Sequence, residues 1–186
     1  VVRRAAKAGY IAIGPDLLSR AGGTAKFTDP AQATGAIGQL KPEEVIADLK
    51  AMIAYGQKLD GAQADRLGVT GFCWGGGMTA ALAVAAGPAI DAAAPYYGPA
   101  PAPESAAQVK AAMHVHLASE DPRINPGWPP FEAAARAAGV RITVETWPDT
   151  QHAFNNDTSQ ARFNQAAAQA AWTRTIGFFD THLKGR

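Results

Sequence analysis

The chain is nearly bare of cysteine: Cys73 is the only one among 186 residues. An intrachain disulfide is therefore excluded, which leaves a reducing compartment or a core that needs no staples, and the cytoplasm is the expected location. Long apolar runs are missing as well. None approaches the roughly 18 residues of a membrane-spanning helix, so no membrane partner is expected. Charge of one sign is also lacking, since Lys and Arg total 17 against 16 Asp and Glu, for a formal net charge of +1. The basic residues are scattered, which leaves no electrostatic footprint for nucleic acid. An initiator Met is absent too. Residues 1–9 read as the second half of a helix closed by Gly9, so further residues, and any signal peptide, are expected to have preceded them.

What is present suffices for one continuous core. With 47% hydrophobic residues, residues 1–186 read as a single domain. Apolar runs at 10–14, 66–72, 92–97, 113–118 and 141–147 have the look of buried strands. Pro42 opens a helix with Glu43 and Glu44 in its first turn and Val45, Ile46, Leu49, Met52 and Ile53 as its apolar stripe. A last helix over 161–183 carries Trp172, Ile176, Phe179 and Leu183 as core. Between the first strand and the Pro42 helix, 19–41 is rich in Gly, Thr, Asp and Pro and reads as a long surface excursion. Alternating strands and helices predict an α/β fold, a mostly parallel sheet flanked by helices on both faces, with ligands at the carboxyl ends of the strands.

At one such end stands Gly71-Phe72-Cys73-Trp74-Gly75-Gly76, between a strand and an Ala/Leu-rich helix over 78–86. This is a thiol version of the nucleophile turn of α/β hydrolases. Glycine is expected at 71 and 75 because Cβ atoms there would crowd the bend. The helix N-terminus would favour a thiolate, and the Trp74 backbone N–H would face a developing oxyanion.

A thiol nucleophile needs a base, and usually an acid to orient the base. Of four histidines, His114 and His116 share one face of a strand, where two ligands do not complete a metal site, so packing and no metal are expected. His182 falls in the last helical turn beside Lys184 and is expected in solvent. His152 sits in the polar loop Pro148-Asp149-Thr150-Gln151-His152-Ala153-Phe154-Asn155-Asn156 and is the candidate base. Asp121, just past a strand end and followed by Pro122, is the candidate acid, with Glu120 the alternative. Because neighbours at a strand end point to opposite sides, only one of them should reach His152. Asp149 and Asp157 read as turn or solvent-facing carboxylates. The order Cys73, Asp121, His152 is that of α/β hydrolases.

With these residues named, the chain resembles the dienelactone hydrolase family of α/β hydrolases, also called carboxymethylenebutenolidases. Pro15-Asp16-Leu17-Leu18, Gly71-Phe72-Cys73-Trp74-Gly75-Gly76, Tyr96-Tyr97-Gly98 and Gln151-His152-Ala153-Phe154 carry the resemblance, which extends over nearly all of the sequence. The stretches after Asp121 and His152 look like a less characterised branch. The resemblance implies a Cys73, His152, Asp121 triad that opens small esters or lactones through a thioester acyl-enzyme, without a cofactor. It also implies strands upstream of the opening helix, and an upstream loop that supplies a second oxyanion donor and a glutamate acting on the resting cysteine. Members that act on dienelactone grip its carboxylate with arginines, one of them shortly after the histidine, where this chain has Asn155 and Asn156. A neutral or hydrophobic acyl group is therefore expected, in a pocket walled by Trp74, Tyr97, Trp128 and Phe154. The alternatives are a truncated, non-catalytic binding domain, and a thiol redox protein, which would lack a resolving cysteine. A homodimer is left open.

Overall fold

The computed structural model describes residues 1–185, which divide into two compact units, the first over 1–64 and the second from Asp65 onward. Within the first, α1 (Val2–Lys7) ends as the sequence suggests. Gly9 takes φ +86, its N–H reaches the Ala6 carbonyl, and the Tyr10 N–H reaches that of Ala5, the paired bonds of a glycine C-terminal cap. The apolar run 10–14 is not a strand: the sheet's ladders begin at Gly68, and Ile11 and Ile13 are exposed. A strand exists only through the hydrogen bonds of a neighbour, which an apolar run does not itself provide. Beyond it the Asp16 carboxylate ties the loop, accepting from the Leu18 and Thr24 N–H groups and the Thr24 hydroxyl.

The excursion over 19–41 is surface-exposed for most of its length, yet it contains a helix that its composition concealed. α2 (Pro30–Gly38) starts from Asp29, whose side chain accepts the Ala31 N–H, with Pro30 at the first helical position. α3 (Pro42–Gly56) follows, with Glu43 and Glu44 in its first turn and Val45 its buried residue.

The second unit is built on four parallel strands in sequential order: β1 (Gly68–Phe72), β2 (Ala92–Tyr96), β3 (Ala112–Glu120) and β4 (Ile142–Gln151). The connections include α4 (Trp74–Ala86) and α5 (Trp128–Ala137), and α6 (Gln165–Phe179) follows β4. Side chains alternate across a strand, so Gly68 and Gly71 look to opposite faces. A Cβ on Gly68 would meet Leu183 at 2.8 Å and Phe179 at 3.1 Å, whereas one on Gly71 would land on the Gly75 carbonyl and Thr79. α6 and α4 thus cover opposite faces, as an α/β sheet requires. β2 contributes Ala92, Ala93 and Ala94, all fully buried, so their small side chains let both layers approach.

α6 buries Ala167, Ala168, Ala171, Thr175 and Phe179, while Trp172 and Ile176, expected in the core, are half-buried. The helical turns do not begin at 161 as expected but at Gln165, capped by the Asn164 side chain, and a wider π turn over Asp180–Lys184 seats Leu183. No described helix is long and apolar enough to cross a membrane.

Candidate active site

Cys73 holds φ +55 and ψ −122 between β1 and α4. This is a conformation that L-residues avoid, at a cost of order 1–3 kcal/mol, and it marks a nucleophile turn. Three neighbours hold it there. Its N–H donates to the Tyr96 carbonyl at 3.1 Å, and its own carbonyl accepts from Gly76 and Gly77 at 3.0 and 3.2 Å. The glycine requirement differs from expectation. Gly71 has no room for a Cβ, but Gly75 has nothing within 4 Å. The second close approach is at Gly76, where a Cβ would strike the Tyr96 carbonyl, and at Gly98, where it would strike the Gly77 N–H. Trp74, with 36% of its surface exposed, begins α4, so its N–H is one of the first-turn donors a helix cannot satisfy internally.

His152 is aimed by an irregularity in β4. From the Ala118–Trp147 pair to the Glu120–Gln151 pair, β3 advances two residues and β4 four. The surplus forms a bulge around Pro148 and Asp149, the latter at φ +53, tolerated because β4 is the last strand of the sheet. Strand pairing therefore continues to Gln151, through what the sequence presented as loop. A turn follows at once, closed by the Phe154 N–H on the Gln151 carbonyl (3.1 Å) with Ala153 at φ +72. His152 stands at its corner. Its Nδ1 lies 2.6 Å from Asp121 Oδ2. Asp121 is buried and Glu120 exposed, so the alternation at the strand end selects Asp121.

Asp121 and His152 line a cleft of about 320 Å³ together with Glu120, Arg123, Gln151 and Arg162. Burial pushes the Cys73 thiol above its ordinary pKa; the Arg123 and Arg162 charges pull it down, and the Asp121 charge adds to the rise. Desolvation thus opposes the thiolate that the helix end was expected to favour. Burial favours the protonated thiol, which needs a base to act as a nucleophile.

The expected aromatic walls are largely core. Trp128 is fully buried, donates its indole N–H to the Gly98 carbonyl at 2.9 Å and stands edge-on to Phe131. Phe154 is fully buried and Tyr97 is 2% exposed. Tyr97 and Phe154 belong to the apolar cluster on which the Cys73 side chain packs. Sequence reasoning missed Arg123 and Arg162. Arg123 lay within the quoted stretch after Asp121, a position open to the cleft; Arg162 was assigned to a helix that begins later.

His114, His116 and Glu145 bring ligand atoms within 4.8 Å of one another, but hydrogen bonds occupy them. The Trp147 indole N–H donates to His116 Nδ1 at 3.1 Å. Indole is only a donor, so Nε2 carries the proton, directed at Thr175 Oγ1 2.9 Å away. Glu145 pairs with Arg174 and His114. His182, expected in solvent, is half-buried and edge-on to Phe178.

A parallel sheet that presents a strained cysteine before a helix, and a carboxylate-bound histidine after its last strand, defines a hydrolase of the α/β class. The chain belongs to the dienelactone hydrolase family, whose model matches residues 1–183. It is a hydrolase of ester or lactone substrates. Among its relatives, a protein of Salmonella typhi named for carboxymethylenebutenolidase activity is 31% identical, with 96% of this chain and 70% of the relative covered. One so named from Methylorubrum extorquens is 32% identical over 96% of this chain and 65% of its own. A solved structure named as a dienelactone hydrolase, from Klebsiella pneumoniae, superposes with a TM-score of 0.83 at 28% identity, covering 95% of this chain and 78% of that one.

Proposed function

We propose that the chain cleaves small esters or lactones through a thioester on Cys73, with His152 as base and Asp121 as its orienting acid. The observation that carries this reading is the 2.6 Å bond from His152 Nδ1 to Asp121 Oδ2 at the same end of the sheet as the strained cysteine. That bond places the neutral imidazole's proton on Nδ1 and leaves Nε2 as the acceptor for the thiol proton. Sγ then attacks the carbonyl carbon, and the charge that develops on its oxygen is met by the Trp74 N–H. Collapse expels the alkoxide, which takes its proton from His152 Nε2. In a lactone the alkoxide stays tethered to the acyl group. Water, deprotonated by the same nitrogen, attacks the thioester; the carboxylic acid departs and the thiol is restored.

The cleft replaces the expected neutral acyl pocket with polar walls. Arg123 and Arg162 make no ion pair among the described residues, while Asp121 is already engaged with His152. Two free guanidiniums favour a substrate that carries an anionic group such as a carboxylate.

The test is intact mass after brief exposure to p-nitrophenyl acetate, for the parent, Cys73→Ala and His152→Ala. The expected result is an acetyl adduct of the parent that Cys73→Ala lacks, with turnover lost in both variants. Undiminished turnover by Cys73→Ala would overturn the thioester route.

A further inference from the structure

Only four residues other than glycine hold a positive φ among those described: Cys73, Tyr97 at +34, Asp149 and Ala153. Strain of this kind persists only where surrounding contacts over-determine it, and it gathers at functional sites. Cys73 is the proposed nucleophile, and Asp149 and Ala153 shape the bulge and turn that present His152. Tyr97 has no role assigned.

Its surroundings show what it could do. The Tyr97 N–H donates to the His116 carbonyl at 2.7 Å, so the β2 chain is still bonded to β3 there. The next residue, Gly98, is pressed against the first turn of α4 so closely that no Cβ fits. Between these two clamps the backbone leaves the strand through a positive φ and swings the phenol ring into the core. The ring meets His152 nearly edge-on, with centroids 5.2 Å apart and planes at 61°. It meets Phe154 in the same manner at 5.3 Å, and Phe72, at the end of β1, at 6.2 Å. The backbone of Asn155 faces its hydroxyl. One side chain therefore touches the strand end before Cys73, the imidazole, and the loop three residues beyond it. At 2% exposure it offers a substrate almost nothing.

We infer that Tyr97 is a positioning residue for His152: its ring fixes the plane of the imidazole, and its hydroxyl holds the loop at Asn155 that carries it. This rests on the proposed role of His152. Asp121 constrains Nδ1 alone, and an imidazole held at one nitrogen can still swing about that bond. The Tyr97 ring packed against the imidazole limits that freedom, which would keep Nε2 in one orientation before substrate arrives. Misplacement by about 1 Å can cost around a hundredfold in rate.

The experiment measures kcat, KM and the rate of Cys73 acetylation by p-nitrophenyl acetate in the full chain. The variants are Tyr97→Phe, Tyr97→Leu and His152→Ala, with Tyr97→Phe also combined with His152→Ala, and the melting temperature of each is recorded. Removing the hydroxyl is expected to lower kcat roughly tenfold, and removing the ring roughly a hundredfold, with KM within about twofold. In the His152→Ala background, Tyr97→Phe should change acetylation by less than about twofold, because a residue that acts through His152 has nothing left to position. A raised KM at unchanged kcat would make Tyr97 a substrate wall and overturn the inference. So would an equal loss with and without His152, which is the signature of a structural role. If His152→Ala kept parental activity, the catalytic reading would fall and the inference with it. If His152→Ala were inactive and Tyr97→Phe fully active, the inference alone would fall.

Discussion

Gly71 and Gly75 stand on either side of Cys73, and at the scale of single atoms they have opposite constraints. A Cβ on Gly71 would meet the Thr79 hydroxyl at 2.6 Å and fall on the Gly75 carbonyl, while one on Gly75 would meet nothing within 4 Å. Gly71→Ala is therefore expected to destabilise by about 3 kcal/mol, because backbone and not a flexible side chain must move. Gly75→Ala is expected to be neutral or to stabilise by up to about 1 kcal/mol, by restricting the unfolded chain at a helical position. Urea midpoints of the two variants, measured side by side, check the pair; a large loss at Gly75 would mean that the bend is tighter than its geometry. The glycines at 71 and 75 were legible as a motif. The steric need for glycine at 76 was not, because the obstacle there is the carbonyl of Tyr96, 20 residues away in sequence. The same holds for Trp128 and Phe154: their ring chemistry suggested a pocket wall, whereas burial, which depends on the completed fold, made them core.

Elements were easier to foresee than their ends. The strands at 66–72, 92–97, 113–118 and 141–147 match β1 to β4 to within a few residues, because buried parallel strands are written as apolar runs. The run at 10–14 failed since pairing depends on a partner, and α2 was concealed because Gly and Thr outweighed the Asp29-Pro30 start signal. One feature joins four elements and was wholly illegible. Tyr96 of β2 and His116 of β3 both bond to Thr175 of α6, and Trp147 of β4 donates to the other nitrogen of His116. Burial, followed by the His114 and Arg174 charges, depresses the His116 pKa to about 2, and burial with Arg174 lowers that of His114. The unfolded chain protonates these groups below about pH 6.5 while the folded chain does not. Stability is thus fully present above that pH and declines as pH falls from about 6.5 toward 2, by up to about 1.4 kcal/mol per pH unit for His116. His116→Gln should flatten this slope, at some cost at neutral pH. Urea midpoints at pH 7.5 and 5.0 for both proteins measure it, and identical slopes would show that other groups govern the acid limb.

Across the whole molecule the formal charge of +1 is too small to steer a charged substrate from a distance. Discrimination between neutral and anionic esters must then arise locally, and the local field is not that of the average. The cleft places Arg123 and Arg162 beside the His152–Asp121 pair, with Glu120 the one further carboxylate in its lining. Composition could not reveal this, because 17 cations and 16 anions look balanced until the fold sorts them. The proposed preference for an anionic substrate follows from that sorting. An ester bearing a carboxylate is expected to show a KM roughly tenfold higher in Arg123→Ala and in Arg162→Ala than in the parent, equivalent to about 1.4 kcal/mol of lost binding for each charge. Neutral p-nitrophenyl acetate gains nothing from a guanidinium, so its KM should be unchanged. Raising the salt concentration should weaken only the anionic substrate, because both arginines are exposed and their attraction is screened within about 8–10 Å at physiological strength. Steady-state kinetics of the two esters in the parent and both variants, at low and high salt, decide the matter. Equal effects on the neutral and anionic esters would turn these arginines into modulators of the Cys73 thiol instead of readers of substrate charge.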